Sequence, residues 1–146
     1  MLASLFSAPC RIGLKTESAI VGYVEQIDTL PTFLAMAADR VVGFLTIKQH
    51  NDYSAEVQVM AIQPSAHRQG IGRALVRHVE LWVSREGFEY LQVKTLGPSR
   101  HNEAYERTRL FYMAMGFRPL EEFENLWEGN PCLIMVKKLS VEPGDP

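Results

Sequence analysis

The chain reads as an α/β fold, one domain on a mixed, mostly antiparallel sheet of six or seven strands flanked by helices. Three observations predict it. Apolar runs at Thr32–Ala37, Val41–Lys48 and Ala55–Ile62 follow one another closely and are separated by polar turns, as in a strand meander. A glycine turn and an amphipathic stretch from Gly70 to Arg85 come next, followed by a fourth strand-like run, Phe88–Thr95. That is the order of a strand–helix–strand unit, whose two strands run parallel. The length of 146 residues, 47% apolar and 22% charged, suits a single globular domain, residues 1–146, with a real core.

Residues 1–15 show no period, and Pro9 and Gly13 interrupt them, so this stretch is expected to be irregular. Thr16 is the N-cap expected for a short helix from Glu17 to Ile27, with Ile20, Tyr23, Val24 and Ile27 on its apolar face. Ala38-Asp39-Arg40 makes a hairpin turn between the first two long strands, although it lacks a glycine. Along Ala55–Ile62, alternation sets Glu56, Gln58, Met60 and Ile62 on one face and Val57, Val59 and Ala61 on the other. Ile71, Leu75, Val79 and Trp82 form the sheet-facing stripe of the long helix, which Gly87 caps. A second helix spans Glu103–Met115 and stops at Gly116. Two last strands, Phe117–Phe123 and Cys132–Lys138, are joined by an acidic, aromatic link, and residues 141–146 are expected to fray.

Bulk properties exclude several classes. A formal charge of −2 provides no electrostatic attraction to nucleic acid or an acidic membrane. No apolar run approaches the ~20 residues that span a bilayer. The start Met1–Phe6 has no basic lead, so no signal peptide is expected. Two cysteines, Cys10 and Cys132, make no disulfide framework, and a reduced, cytoplasmic protein is the expectation. His50, His67, His78 and His101 lack metal-ligand spacing, so no metal is expected.

The stretch with chemical content is the glycine turn Pro64–Gly72 between strand and helix. A helix start presents free backbone N–H groups and the positive end of the helix dipole, which together bind anions, phosphate above all. A glycine pair alone is equally well a tight packing turn. No Gly-x-x-x-x-Gly-Lys-Ser/Thr is present, and the third glycine of the dinucleotide fingerprint is missing.

Two ordered motifs narrow the reading. Met60-Ala61-Ile62-Gln63-Pro64 followed by His67-Arg68-Gln69-Gly70-Ile71-Gly72 resembles the Gln/Arg-x-x-Gly-x-Gly/Ala signature of the GCN5-related N-acetyltransferases. Tyr112-Met113-Ala114-Met115-Gly116-Phe117 matches the family's Tyr-x-x-x-Gly-Phe motif at the expected distance downstream. The chain departs in two places: His67 stands where the family has Gln or Arg, and Tyr105 where an asparagine often precedes the motif tyrosine. The resemblance covers about Pro31 to Leu139, with a shortened region before it.

It implies a fold of that family and acetyl-CoA as co-substrate, its pyrophosphate held by backbone N–H groups of Arg68, Gln69, Gly70, Ile71, Gly72 and Arg73. It also implies a pantetheine arm paired along Met60, Ala61 and Ile62, where a backbone N–H would polarise the thioester carbonyl. Tyr105 is a candidate lining residue of the coenzyme groove. Tyr112 is the implied general acid for the leaving thiolate, and Glu56 the candidate base that deprotonates the amine through water. The bland alternatives are a packed tyrosine and an exposed strand carboxylate. Cys132 has no partner base for a covalent route, so direct transfer is expected. The acceptor is a small-molecule or peptide amine, and Glu121, Glu122, Glu124 and Glu128 with Trp127 form either a solvated edge or a rim that attracts it. The short N-terminal region leaves room for a homodimer that completes the acceptor site, and for a non-catalytic coenzyme-binding module. A generic nucleotide-binding protein is the weakest alternative.

Overall fold

The computed structural model describes residues 2–4, 10–14, 31–67 and 69–140, the first two stretches by backbone alone. In chain order the elements are β1 (Leu2–Ser4), β2 (Cys10–Leu14), β3 (Thr32–Ala37), β4 (Arg40–Gln49), β5 (Ser54–Ile62), α1 (Ile71–Arg85), β6 (Tyr90–Leu96), α2 (Glu103–Ala114), β7 (Arg118–Trp127) and β8 (Asn130–Lys138). Strand order in the sheet is β1-β2-β3-β4-β5-β6-β8-β7. The α/β class with a mixed sheet flanked by helices is therefore as expected. β3–β8 are the six strands read from the sequence, and β1 and β2 add two.

Those two correct the expectation that 1–15 is irregular. β2 pairs antiparallel with β3 over five positions, from Cys10 opposite Ala37 to Leu14 opposite Phe33. Pairing along a long neighbour overrides the weak local signal. The helix expected over Glu17–Ile27 and the frayed tail 141–146 lie outside the described residues.

The chain divides into two compact units, Met1–Lys48 with Val57–Trp82, and Gln49–Glu56 with Val83–Pro146. In the first, Ile71, Ala74, Leu75, Val76 and Val79 of α1 are buried. They recur at helical spacing, so one face of the helix supplies the packing. Phe33 of β3 meets His78 edge-on with ring centroids 5.6 Å apart and Trp82 at 5.5 Å, the geometry favoured by aromatic quadrupoles. His78 is thus a packing residue. Gly43 on β4 is favoured by close approach, since a Cβ there would make tight contacts of 3.2 Å with the Ala61 carbonyl oxygen and 3.3 Å with the Ile62 side chain.

In the second unit, β6 and β8 pair antiparallel from Tyr90 opposite Lys138 to Leu96 opposite Cys132. Leu91, Val93, Phe117 and Met135 are among its fully buried side chains. Asn102 caps α2 by accepting the Tyr105 N–H at 3.1 Å. Gly116, at φ 99°, ends the helix, and Lys137 Nζ donates to the Met115 carbonyl at 2.7 Å, a cation at the dipole's negative end. The acidic, aromatic link expected over Glu124–Pro131 is mostly strand: β7 continues to Trp127 and only Glu128-Gly129 turn, with Gly129 at φ 78°. A register shift between Phe123 and Trp127 lets the strand absorb the polar residues without ending. Among the described residues, no helix is long and apolar enough to cross a membrane.

The β3–β4 turn is where expected, and Ala38 takes the left-handed conformation at φ 55°, which a Cβ disfavours by about 1 kcal/mol. Ala38→Gly should therefore raise stability by about 0.5–1 kcal/mol, read as a higher urea midpoint with an unchanged slope.

Candidate functional site

The glycine turn belongs to the first unit. After β5, a single 3-10 turn over Pro64–Ala66 leads into His67. His67 does not project as a free side chain: its Nε2–H donates to the Ile62 carbonyl at 2.9 Å. The bond closes the loop onto the end of the strand that feeds it. Gln69 makes a longer contact of the same kind to the Ser65 carbonyl at 3.5 Å. Gly70 then adopts φ 76°, a left-handed conformation that favours glycine, and its carbonyl accepts the first helical bond from the Ala74 N–H at 3.0 Å.

The N–H groups of Ile71, Gly72 and Arg73 consequently start the helix without intrahelical acceptors. No acidic side chain occupies the first turn of α1, so its positive end is uncompensated. Arg73 is exposed there, and Arg68 lies outside the described residues. On the feeding strand, Gln58, Val59 and Ala61 are exposed while Met60 and Ile62 are half-buried. Exposed apolar side chains so close to an anion cradle suit a ligand with a charged end and an apolar arm.

The second unit holds the carboxylate. Glu56 is 4% exposed, flanked by buried Ala55 and Val57. An isolated charge at that depth is costly, and three donors compensate it on one oxygen. Against Glu56 Oε1 stand His50 Nε2 at 2.5 Å, Gln92 Nε2 at 3.1 Å and Lys94 Nζ at 3.5 Å. His50 is positioned by the turn it opens. Asn51 Oδ1 accepts the N–H groups of Tyr53 at 2.7 Å and Ser54 at 2.9 Å, and the His50 N–H donates to the Ser54 carbonyl at 3.0 Å. The Tyr53 carbonyl in turn accepts the N–H groups of Glu89 at 2.8 Å and Tyr90 at 3.0 Å. His50 is the residue that sequence reasoning passed over. A signal existed, because a tight turn over Asn51–Ser54 brings the chain on its two sides together.

Tyr112, on the same unit, is 6% exposed between Phe111 and Phe117, with ring centroids 5.2 and 5.3 Å away. Burial pushes its phenol up from 10.0 to about 12. Tyr105, expected on the same helix face, is 44% exposed. Cys132 is a free, fully buried thiol. Burial raises its pKa, Lys94 offsets part of the rise and Glu56 adds to it. A thiol held protonated is a poor nucleophile, which weighs against an acyl-cysteine route.

The acidic segment is partly structural. Glu122 accepts the Ser99 hydroxyl, and Arg100 donates to Asn130 Oδ1. A polar cleft of about 250 Å³ opens beside them, lined by Ser99, Arg100, Glu124, Gly129, Asn130 and Pro131. Among the described residues no cluster of His, Cys, Asp and Glu has the arrangement of a metal site.

A family model described as an acetyltransferase (GNAT) domain matches residues 28–119. An uncharacterized N-acetyltransferase of Bacillus subtilis, YsnE, is 25% identical over 105 residues, 72% of this chain and 67% of the relative. Among solved structures, a GNAT family acetyltransferase from Elizabethkingia anophelis with acetyl-CoA bound superposes with a TM-score of 0.75 at 16% identity, over 90% of this chain and 99% of that one. The ribosomal-protein-S18-alanine N-acetyltransferase of Escherichia coli gives 0.73 at 16% identity, over 92% and 97%. At these identities the structural likenesses speak for the fold.

The Tyr112 phenol links the site to stability. Its folded pKa is raised, so its stabilisation is complete below pH 10 and is lost as pH climbs toward 12. The amount is about 3 kcal/mol. Urea midpoints between pH 9 and 12 should fall less steeply in Tyr112→Phe than in the parent protein.

Proposed function

Because this chain belongs to the GNAT family of acetyltransferases, we propose that it transfers acetyl directly from acetyl-CoA to a primary amine on a small molecule or a protein. The observation that carries the coenzyme reading is the start of α1 behind Gly70 at positive φ, where no acidic side chain stands in the first turn to oppose an anion at the helix's positive end. Backbone groups of Arg68, Gln69, Gly70, Ile71, Gly72 and Arg73 take the phosphates. Met60, Ala61 and Ile62 flank the pantetheine arm, and Tyr105 lends an exposed ring to the coenzyme. His67 replaces the family's Gln or Arg not as a phosphate ligand but as the latch that holds the loop to Ile62.

The reaction balances simply. The ammonium R–NH3+ gives one proton to the base held at Glu56, and the freed nitrogen lone pair attacks the thioester carbon. The C–N bond forms, the C–S bond breaks, and the second nitrogen proton ends on the departing sulfur. Tyr112 is the hydrogen-bond donor to that sulfur. With a phenol at about 12 against an ordinary thiol near ~8.5, full proton transfer is uphill by roughly 5 kcal/mol. Its contribution is therefore a hydrogen bond that strengthens as charge grows on sulfur. The polar cleft with Glu124 on its rim is the candidate place for an amine acceptor, and a reducing cytoplasm fits the free Cys132 thiol.

Acetyl-CoA at a hundredfold excess over its Kd should stabilise the protein by about 2.7 kcal/mol, seen as a raised melting temperature. No shift at millimolar acetyl-CoA overturns the proposal, and a shift without thiol release from any amine leaves a binding module. His67→Ala should weaken acetyl-CoA binding about tenfold by calorimetry, the cost of one loop-fixing hydrogen bond. Tyr112→Phe should cut turnover at least tenfold while the acetyl-CoA melting shift is retained; an unchanged rate removes the tyrosine from the chemistry.

A further inference from the structure

We propose that His50, rather than Glu56 itself, takes the proton from the amine, and that Glu56 is the positioning residue behind it. The assignment rests on the acetyltransferase reading and divides the roles within it. Glu56 is ill placed to meet a substrate or an activated water directly. Its side chain is 6% exposed, and one of its oxygens already faces His50, Gln92 and Lys94. His50 is the more open partner, at 28% side-chain exposure.

The 2.5 Å contact between His50 Nε2 and a carboxylate oxygen also fixes the tautomer. A neutral imidazole carries one N–H, and facing an acceptor-only carboxylate it places that hydrogen on Nε2. Nδ1 is then left as a lone pair, the form a base requires. When Nδ1 takes a proton, the ring keeps its Nε2–H on the Glu56 carboxylate and so keeps its orientation. Lys94 and Gln92 hold that carboxylate in place from β6, and the Asn51 turn holds the ring from the other side. Cys132, also near Glu56, has its pKa raised by burial and takes no part in the exchange. The step is a plain proton transfer: R–NH3+ loses a proton, His50 Nδ1 gains it, and solvent removes it after the amide has formed.

Two readouts on the whole protein test this. Long-range 1H–15N correlation spectra of the His50 ring, assigned by its loss in His50→Ala, should show hydrogen on Nε2 and a bare Nδ1 at neutral pH. Hydrogen on Nδ1 overturns the dyad whatever the activity. Thiol release from acetyl-CoA with a panel of primary alkylamines should fall 10²–10⁴-fold in His50→Ala, with part restored by added imidazole and the acetyl-CoA melting shift intact. Glu56→Gln, which preserves an acceptor for the ring, should lose about tenfold. A His50→Ala enzyme within threefold of the parent, or a Glu56→Gln loss as deep as that of His50→Ala, overturns the assignment and returns the base role to Glu56. Parent protein that binds acetyl-CoA yet releases no thiol overturns the acetyltransferase reading instead, and the ring tautomer still reports separately on the dyad.

Discussion

A carboxylate buried to 4% exposure dictates its surroundings, and Glu56 does so here. Its charge has to be met, and the groups that meet it come from the β4–β5 turn and from β6. Removing any one donor would leave part of the charge uncompensated, which is far more costly than any single hydrogen bond is stabilising. The Asn51 turn, the Tyr53 carbonyl accepting from Glu89 and Tyr90, and the alignment of β6 all serve that cluster. A buried ion cluster of this kind is weak evidence for stability and better evidence for a function that requires the charge.

In the proposed function, the two ends of the chemistry are built on different principles. The coenzyme end uses almost no side chains: a glycine at positive φ, a helix start and a strand with exposed apolar residues provide backbone dipoles that need no titration. The proton end uses side chains whose charge states matter, so it is buried, hydrogen-bonded and paired. Tyr112 belongs to neither extreme. Aromatic packing with Phe111 and Phe117 holds it rigidly, and the same burial keeps its phenol protonated.

Long, strongly patterned elements were legible in the sequence. β3 occupies the predicted Thr32–Ala37, and the α1 stripe of Ile71, Leu75 and Val79 is buried as its spacing implies. What escaped was decided by neighbours more than by local pattern. β2 owes its extended form to five pairings with β3, and β7 carries Glu124-Asn125-Leu126 as an irregular stretch between the pairings of Phe123 with Cys132 and Trp127 with Asn130 on β8. Glu56 was visible as a carboxylate on a strand, but its burial was not, since Ala55 and Val57 beside it are buried as well and alternation alone cannot say so. His50 and His67 each looked like a lone polar residue in a loop, and each takes its meaning from a hydrogen bond the fold creates. Asn102 likewise takes its role from the fold, as the cap of α2.

A crystal structure of the protein with coenzyme A tests the account at its centre. The account predicts the pyrophosphate oxygens within about 2.7–3.2 Å of backbone N–H groups between Gly70 and Arg73, with the sulfur end running along Met60–Ile62. A pyrophosphate bound away from the start of α1, with those N–H groups facing water, would contradict it.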